Sequence, residues 1–229
     1  MLSTDAQKLL AANWAANQVQ DGMVVGLGSG STAALAIRAL GERVRQGLKI
    51  TGVATSISSW DLALSFRMEV WPLEACRKVD VGIDGADEVD PRLNLVKGLG
   101  GALLREKLVG LAAGELTIVV DEGKLVPALG SHSAVPVEIV PYGWRWTQSR
   151  IEALGCRSVI RMDKNDYYST DNGHYVLDCQ FGTIADAPTL AQQLKAITGV
   201  VEHGLFLGIA SRVVVGKADG TVEVRVRQE

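Results

Sequence analysis

MVVGLGSGSTAALAIRALGERVRQGLKITGVAT, residues 23–55, decides the fold class. MVVGLG is a short apolar strand that ends in glycines, STAALAIRALGERVRQG is a helix, and LKITGVAT is the next strand. The alternation continues outward. SSWDLALSFRM reads as a helix, VDVGID as a strand, ALLREKLVGLAA as a helix and ELTIVVD as a strand. Apolar strands separated by helices predict a mostly parallel sheet covered on both faces. Ligands of such sheets bind at the carboxyl ends of the strands. GLGSGST and DGADEVD each follow directly on a strand, so both belong to that edge.

The pattern changes after about Ala128. VPVEIV reads as a strand and WTQSRIEALG as a helix. RSVIRM and HYVLDCQF read as two strands, separated by a polar stretch ending in Asp171-Asn172-Gly173. PTLAQQLKAI is a helix and VVEHGLF a strand. That order, βαββαβ, predicts a ferredoxin-like unit. The tail RVVVGKADGTVEVRV reads as a β-hairpin turning at Asp219-Gly220 and returning to the first sheet. The expected fold class is α/β: a Rossmann-like, mostly parallel sheet domain over residues 1–128 plus 205–229, and a smaller ferredoxin-like α+β domain over residues 129–204.

The chain has 229 residues, 47% hydrophobic and 21% charged, with a formal charge of −3. That balance argues against general attraction to nucleic acid or to an anionic membrane, so any phosphate site is local, built from backbone amides and a few cations. No apolar run is long enough to span a bilayer. The first residues, MLSTDAQKLLAANWAANQV, read as an amphipathic helix capped by Ser3, Thr4 or Asp5 rather than a signal peptide. Cys76, Cys156 and Cys179 are odd in number and far apart, which fits reduced thiols in a cytoplasmic protein rather than a disulfide framework or zinc site.

Three segments carry the chemistry. In GLGSGSTA, residues 26–33, Gly26, Gly28 and Gly30 permit positive φ and close approach of a ligand. Ser29, Ser31 and Thr32 offer hydroxyls beside a helix N-terminus, a ready anion site. The spacing is GxGxG, the second strand ends without an acid at Ala54-Thr55-Ser56, and the Walker lysine is missing, so neither a dinucleotide nor a nucleotide P-loop is expected. A tight turn with a Ser/Thr helix cap accounts for the same residues.

DGADEVD, residues 84–90, admits a divalent cation on Asp84, Asp87, Glu88 and Asp90, a shared small ligand, or a solvated acidic turn before Pro91. It does not fit the EF-hand pattern. Gly85 and Ala86 let the backbone and both flanking carboxylates approach one ligand. In KGLGGALLREKLVGLAA, residues 97–113, Gly98, Gly100 and Gly101 make a turn before a helix that is apolar almost all round. Arg105, Glu106 and Lys107 point about 100° apart, so no single solvent face holds all three. A carboxylate turned inward there has a raised pKa suited to a general base; pairing with a cation is the other reading of Glu106. Lys124 in VVDEGK follows another strand, where a surface lysine is the default. His132, His174 and His203 show no metal spacing, and no GxSxG serine signature occurs.

On these motifs the chain resembles ribose-5-phosphate isomerase, type A. The resemblance spans nearly the whole chain through GLGSGSTA, DGADE, KGLGGALLREK, VDEGK, PVEIVP, TDNG and GVVEHGLF. It implies interconversion of ribose 5-phosphate and ribulose 5-phosphate in the pentose phosphate pathway, the step that also feeds the Calvin cycle in photosynthetic organisms. It also implies no metal or other cofactor, and a homodimer or homotetramer. The family's base falls on Glu106. Its substrate loop falls on Ser29, Gly30, Ser31 and Thr32, its acidic loop on Asp84, Gly85, Ala86 and Asp87, its lysine and glycine turn on Lys97, Gly98, Leu99 and Gly100, and its later lysine on Lys124. Ser29 stands where threonine is common and keeps the hydroxyl. Leu99 stands where many relatives have glycine, and its branched side chain narrows the backbone angles open to the loop. The implied mechanism runs through a cis-enediolate, with Lys97 and backbone amides on the C1 oxygen, Asp84 and Asp87 on sugar hydroxyls, and Ser31, Thr32, Lys124 and, less directly, Lys8 at the phosphate. A related amino-sugar-phosphate deaminase-isomerase is the rival enzyme. A non-catalytic sugar-phosphate sensor is the rival from another class; it would keep the cradle and could dispense with Glu106.

Overall fold

The computed structural model describes residues 1–228, which divide by their contacts into two units. Met1–Ala86, Arg105–Lys124 and the chain from Ile209 onward form the first; Asp87–Leu104 and Leu125–Gly208 form the second. The chain opens with α1 (Thr4–Gln18), β1 (Val24–Leu27), α2 (Gly30–Arg45), β2 (Thr51–Ala54), α3 (Ile57–Ser65), β3 (Glu69–Val70) and β4 (Val79–Asp84). Two short strands of the second unit follow, β5 (Glu88–Val89) and β6 (Leu95–Val96), and then α4 (Leu103–Ala112) and β7 (Ala113–Asp121). Next come β8 (Val135–Ile139), α5 (Trp144–Glu152), β9 (Arg157–Ile160), β10 (Met162–Asp163), β11 (Asp166–Tyr167) and β12 (Tyr175–Gln180). The last elements are α6 (Ala187–Lys195), β13 (Val200–His203), β14 (Leu205–Phe206), β15 (Arg212–Gly216) and β16 (Val222–Val226).

The first unit is built on a seven-stranded sheet in the order β16-β15-β7-β4-β1-β2-β3. All neighbours are parallel except the β15–β16 hairpin. The central strands are apolar because both faces are covered. Ala11, Ala12, Ala15 and Ala16 of α1 pack into one core with Val25, Leu27, Ile37, Leu40, Val119 and Val214. Alanines on that face let the helix lie close to the sheet, and Ser3 caps it by accepting from the Ala6 N–H at 3.3 Å. The register pairs Leu27 with Ile83 and Asp84 with Ile118, so β1 and β4 end at one edge, where β7 runs on to Asp121.

The second unit carries a four-stranded antiparallel sheet in the order β13-β8-β12-β9, the fourth, first, third and second strands of the βαββαβ run. This is the ferredoxin-like arrangement. Val135, Val137, Ile139 and Leu177 of the sheet share a core with Ile151 of α5 and Leu190 and Leu194 of α6. A three-stranded sheet, β14-β6-β5, and the two-stranded β10-β11 hairpin complete the unit. VVEHGLF, a single strand in the sequence reading, is split at Gly204 between these two sheets. Gly204 donates to Pro136 O at 2.7 Å and accepts from Lys97 N at 2.9 Å, and a Cβ there would lie 2.2 Å from Lys97 O.

The contact boundaries differ from the sequence boundaries. Residues 87–104, 125–128 and 205–208, expected with the parallel sheet, group with the second unit. The reason is pairing: β6 bonds to β14, Val126 N donates to Val89 O at 2.9 Å, and Glu88 accepts from the backbone of residues 130–133. Among the described residues no helix is long and apolar enough to cross a membrane.

Candidate active site

At the carboxyl edge of the first unit's sheet, residues 28–32 turn from β1 into the sixteen-residue helix α2. Gly28 donates to Ile83 O at 2.9 Å, and a side chain there would collide with Asp84, whose Oδ1 would lie 2.2 Å from the added Cβ. Asp84 is buried, and its Oδ1 accepts from the N–H groups of Ser29 at 3.2 Å and Gly85 at 2.7 Å. Gly30 has φ +87°, which opens the helix with an exposed first turn at Gly30 and Ser31, while Thr32 is half-buried beside Gly85. Ser29 is directed elsewhere. Its hydroxyl lies 2.7 Å from Thr55 Oγ1 and 2.7 Å from Ser56 Oγ, in a cluster completed by Ser59, whose Oγ donates to Gly28 O at 2.6 Å. Sequence reasoning missed Thr55, Ser56 and Ser59, although the run TSISS after β2 was its visible signal.

Glu106 sits in the first turn of α4. It is the inward member of the Arg105-Glu106-Lys107 triplet: 5% of its surface is exposed, while its neighbours are half-buried. One turn on, Val109 packs with Val53 and Val79 of the sheet. Residues three apart share a helix face, so Glu106 lies on the sheet side of α4. Because α4 leads into β7, which runs parallel to β4, the first turn of the helix is at the carboxyl edge. Lys124 is half-buried in the short 3₁₀ turn after β7, and Lys8 lies on α1 with 17% of its side chain exposed. The edge therefore gathers Asp84, Gly85, Ala86, the cradle and Glu106.

The other predicted residues belong to the second unit. Lys97 is 3% exposed, with its Nζ 5.4 Å from the centre of the Phe206 ring. The turn after it takes its positive φ at Gly98 (+103°) and Gly101 (+81°), not at Leu99, so leucine fits the loop without backbone strain. Asp87 Oδ2 accepts from Leu99 N at 3.1 Å. Arg161 Nη1 donates to Gly98 O at 3.2 Å and to Leu99 O at 2.9 Å, and Tyr168 Oη donates to Gly100 O at 3.4 Å. Burial pushes the Tyr168 phenol up, which keeps it a donor. Neither Arg161 nor Tyr168 was singled out in the sequence.

The acidic segment parts into two fates. Both oxygens of Glu88 are taken by the N–H groups of Gly130, His132 and Ser133, each at 2.6 Å. Asp90 accepts from Arg92 N and Asn94 N at 2.8 Å and from Asn94 Nδ2 at 3.0 Å. These two acids shape backbone, which removes them from the cation reading. Among the described residues no group of three or more His, Cys, Asp and Glu side chains is placed to hold a metal ion. His174 Nδ1 lies 2.9 Å from Glu138 Oε1, and His203 is buried. The three cysteines are free thiols; a hydrogen bond to Cys156, then burial, pushes Cys179 well above the ordinary thiol range, so it stays protonated.

The family model for ribose 5-phosphate isomerase A (phosphoriboisomerase A) matches residues 51–220. A ribose-5-phosphate isomerase A from Synechococcus sp. (strain JA-3-3Ab) is 50% identical over 228 residues, covering 98% of this chain and 99% of that protein. A solved D-ribose-5-phosphate isomerase in complex with phospho-erythronic acid superposes with a TM-score of 0.96 at 38% identity, covering 99% of this chain and all of the other. Ribose 5-phosphate isomerase A from Methanocaldococcus jannaschii gives 0.91 at 40% identity, over 96% and 97% of the two chains. With likeness at that level running through both units, the chain is an isomerase and belongs to the ribose 5-phosphate isomerase A family.

Proposed function

We propose that the protein interconverts D-ribose 5-phosphate and D-ribulose 5-phosphate through a cis-enediolate, with Glu106 as the general base. The observation that carries this reading is the burial of Glu106 at the carboxyl edge of the sheet, on a helix turn whose neighbouring charges face outward more than it does. Glu106 removes the C2 proton of the open-chain aldose and returns a proton to C1. Negative charge then grows on the C1 oxygen. Lys97, with nearby backbone amides, neutralises it, since donors already in place where charge develops lower a barrier most. Asp84 and Asp87 accept hydrogen bonds from sugar hydroxyls. The Gly30–Thr32 turn and Lys124 hold the phosphate, which suits a helix N-terminus.

The ligand of the solved relative supports this chemistry. A phosphorylated four-carbon sugar acid joins a phosphate to a planar anionic carboxylate, which imitates the planar, charged enediolate, and transition-state-like anions are the species an isomerase should bind best. The reading extends to a homodimer or homotetramer in the cytoplasm, and to Calvin-cycle service where the host is photosynthetic. The decisive experiment is an assay of the purified chain with ribose 5-phosphate in deuterated water. Ribulose 5-phosphate should form with deuterium entering from solvent at carbon. No ketose product, or product formed with complete retention of the C2 hydrogen, overturns the proton-transfer mechanism.

A further inference from the structure

We infer that Arg161 is a positioning residue for the isomerisation, acting on Asp87 through a single peptide plane. The inference rests on the role proposed above for Asp87. Arg161 lies just beyond β9, where the strand read as RSVIRM breaks. Its backbone is tied down on both sides: its N–H donates to Val176 O at 2.9 Å and its carbonyl accepts from Tyr168 N at 3.0 Å. The guanidinium forks onto Asp178, Nε to Oδ2 at 2.9 Å and Nη2 to Oδ1. Its remaining nitrogen, Nη1, reaches the carbonyls of Gly98 and Leu99.

The Gly98 carbonyl and the Leu99 N–H are two ends of one peptide group. In a trans peptide they point in opposite directions within a plane. On one side the carbonyl receives the Arg161 cation; on the other the N–H donates to Asp87 Oδ2 at 3.1 Å. The order is carboxylate, guanidinium, peptide, carboxylate, from Asp178 to Asp87. Each charge polarises the next donor in the direction that strengthens its bond. The second bond, to Leu99 O, fixes the following peptide as well and turns the Gly100 N–H away from Arg161.

The setting favours a functional tie over an idle surface pair. Exposed ion pairs contribute little because water and salt screen them. Here the side chains of Arg161 and Asp178 are only 13% and 28% exposed, and Arg161 Cζ lies 5.7 Å from the Tyr168 ring centre. The segment they hold contains three glycines in four residues, Gly98, Gly100 and Gly101, the composition least able to keep one conformation unaided. A lysine at 161 cannot reproduce the arrangement, because one ammonium cannot fork onto a carboxylate and reach two carbonyls in fixed planar geometry.

The test is a double-substitution cycle of Arg161→Lys and Asp87→Asn, assayed with ribose 5-phosphate after far-UV circular dichroism shows each variant folded at the assay temperature. Arg161→Lys should lower kcat about 10- to 100-fold, the scale expected when a reacting constellation is displaced by about an ångström. KM should change less than about threefold. In the Asp87→Asn background the same substitution should cost less than about twofold, because the plane then has no carboxylate to aim at. Asp178→Asn, which keeps the shape and loses the charge, should follow Arg161→Lys in direction with a smaller drop. Folded Arg161→Lys with wild-type kcat overturns the inference, and so does full additivity with Asp87→Asn. A wild-type chain that forms no ribulose 5-phosphate would refute the proposed function instead, so the two failures are told apart by the first assay of the series.

Discussion

Two glycine turns serve this protein and are held in different ways. The turn at residues 28–32 is braced mainly by hydroxyls: Ser29, Thr55, Ser56 and Ser59 share hydrogen bonds beneath it, α2 carries its far end, and its one charged tie among the described contacts is the Asp84 carboxylate on the Ser29 N–H. The turn at residues 97–101 is gripped by charge, with Arg161 on its carbonyls and Asp87 on an amide. A hydroxyl cluster has alternative partners for each member, so losing one costs about 1 kcal/mol. A chain of charges loses its purpose when any member is removed. The first turn is accordingly suited to holding an unreacting phosphate, whereas the second is suited to fixing groups to within the tolerance that proton transfer needs.

The sharpest way to break this division is Glu106→Gln, because Glu106 lies on the helix that the second turn opens. The amide keeps size and hydrogen bonding but cannot accept a carbon-bound proton. A positioned general base contributes roughly 10²–10⁴-fold, so kcat should fall by at least that much while KM moves little. Hydrogen exchange at carbon should disappear with it. Near-normal turnover would transfer the base role to Asp84 or Asp87. Thr32→Ala probes the first turn. If Thr32 contacts the phosphate in ground state and transition state alike, KM should rise about tenfold, the scale of one charge-assisted hydrogen bond, with kcat nearly unchanged. A kcat loss exceeding the KM rise would put Thr32 beside the reacting carbons and reverse the sugar. A smaller effect is expected for Ser29→Ala, about 1 kcal/mol of stability by denaturant titration with kinetics close to wild type. A large KM increase there would return Ser29 to the ligand. Least of all should be seen on thorough EDTA treatment. Glu88 and Asp90 are committed to backbone amides, which leaves the acidic segment short of ligands, so activity should persist. Loss on chelation with recovery on Mg²⁺ or Mn²⁺ would recast Asp84 and Asp87 as metal ligands.

Much of the fold was legible because local signals agreed with the tertiary answer. The parallel core shows in runs such as VVGL, which has no polar side chain on either face. The hairpin at Asp219-Gly220 carries its own turn residues, and its strands β15 and β16 pair as expected. What escaped was long-range. Nothing local says that Leu95–Val96 pairs with Glu88–Val89 on one side and Leu205–Phe206 on the other, since strands of two residues have no period to read. In the candidate site, local geometry was legible where motif and backbone coincide: Gly30 and Gly98 take positive φ, and Asp84 ends β4 buried. The hydroxyl partners of Ser29 were not legible, because a hydroxyl beside a helix start looks the same in sequence whether or not it bonds Thr55 and Ser56. Arg161 and Asp178 lie 17 residues apart on neighbouring segments, and only the β9–β12 register brings their charges together.

The place of β15 has a consequence for how the molecule comes to exist. This strand lies second from the edge of the seven-stranded sheet and pairs with β7 through Arg212 and Thr117, a contact that spans most of the second unit in sequence. On the ribosome, β7 emerges long before its partner and waits with a bare flank of amides and carbonyls, while the four strands of the antiparallel sheet can already close on one another. Synthesis therefore favours an order in which the inserted unit matures first and the sheet beneath Glu106 and α4 is sealed last. A nascent chain arrested before residue 212 would present one unpaired flank of an apolar strand to its surroundings, and folding helpers would find their task there.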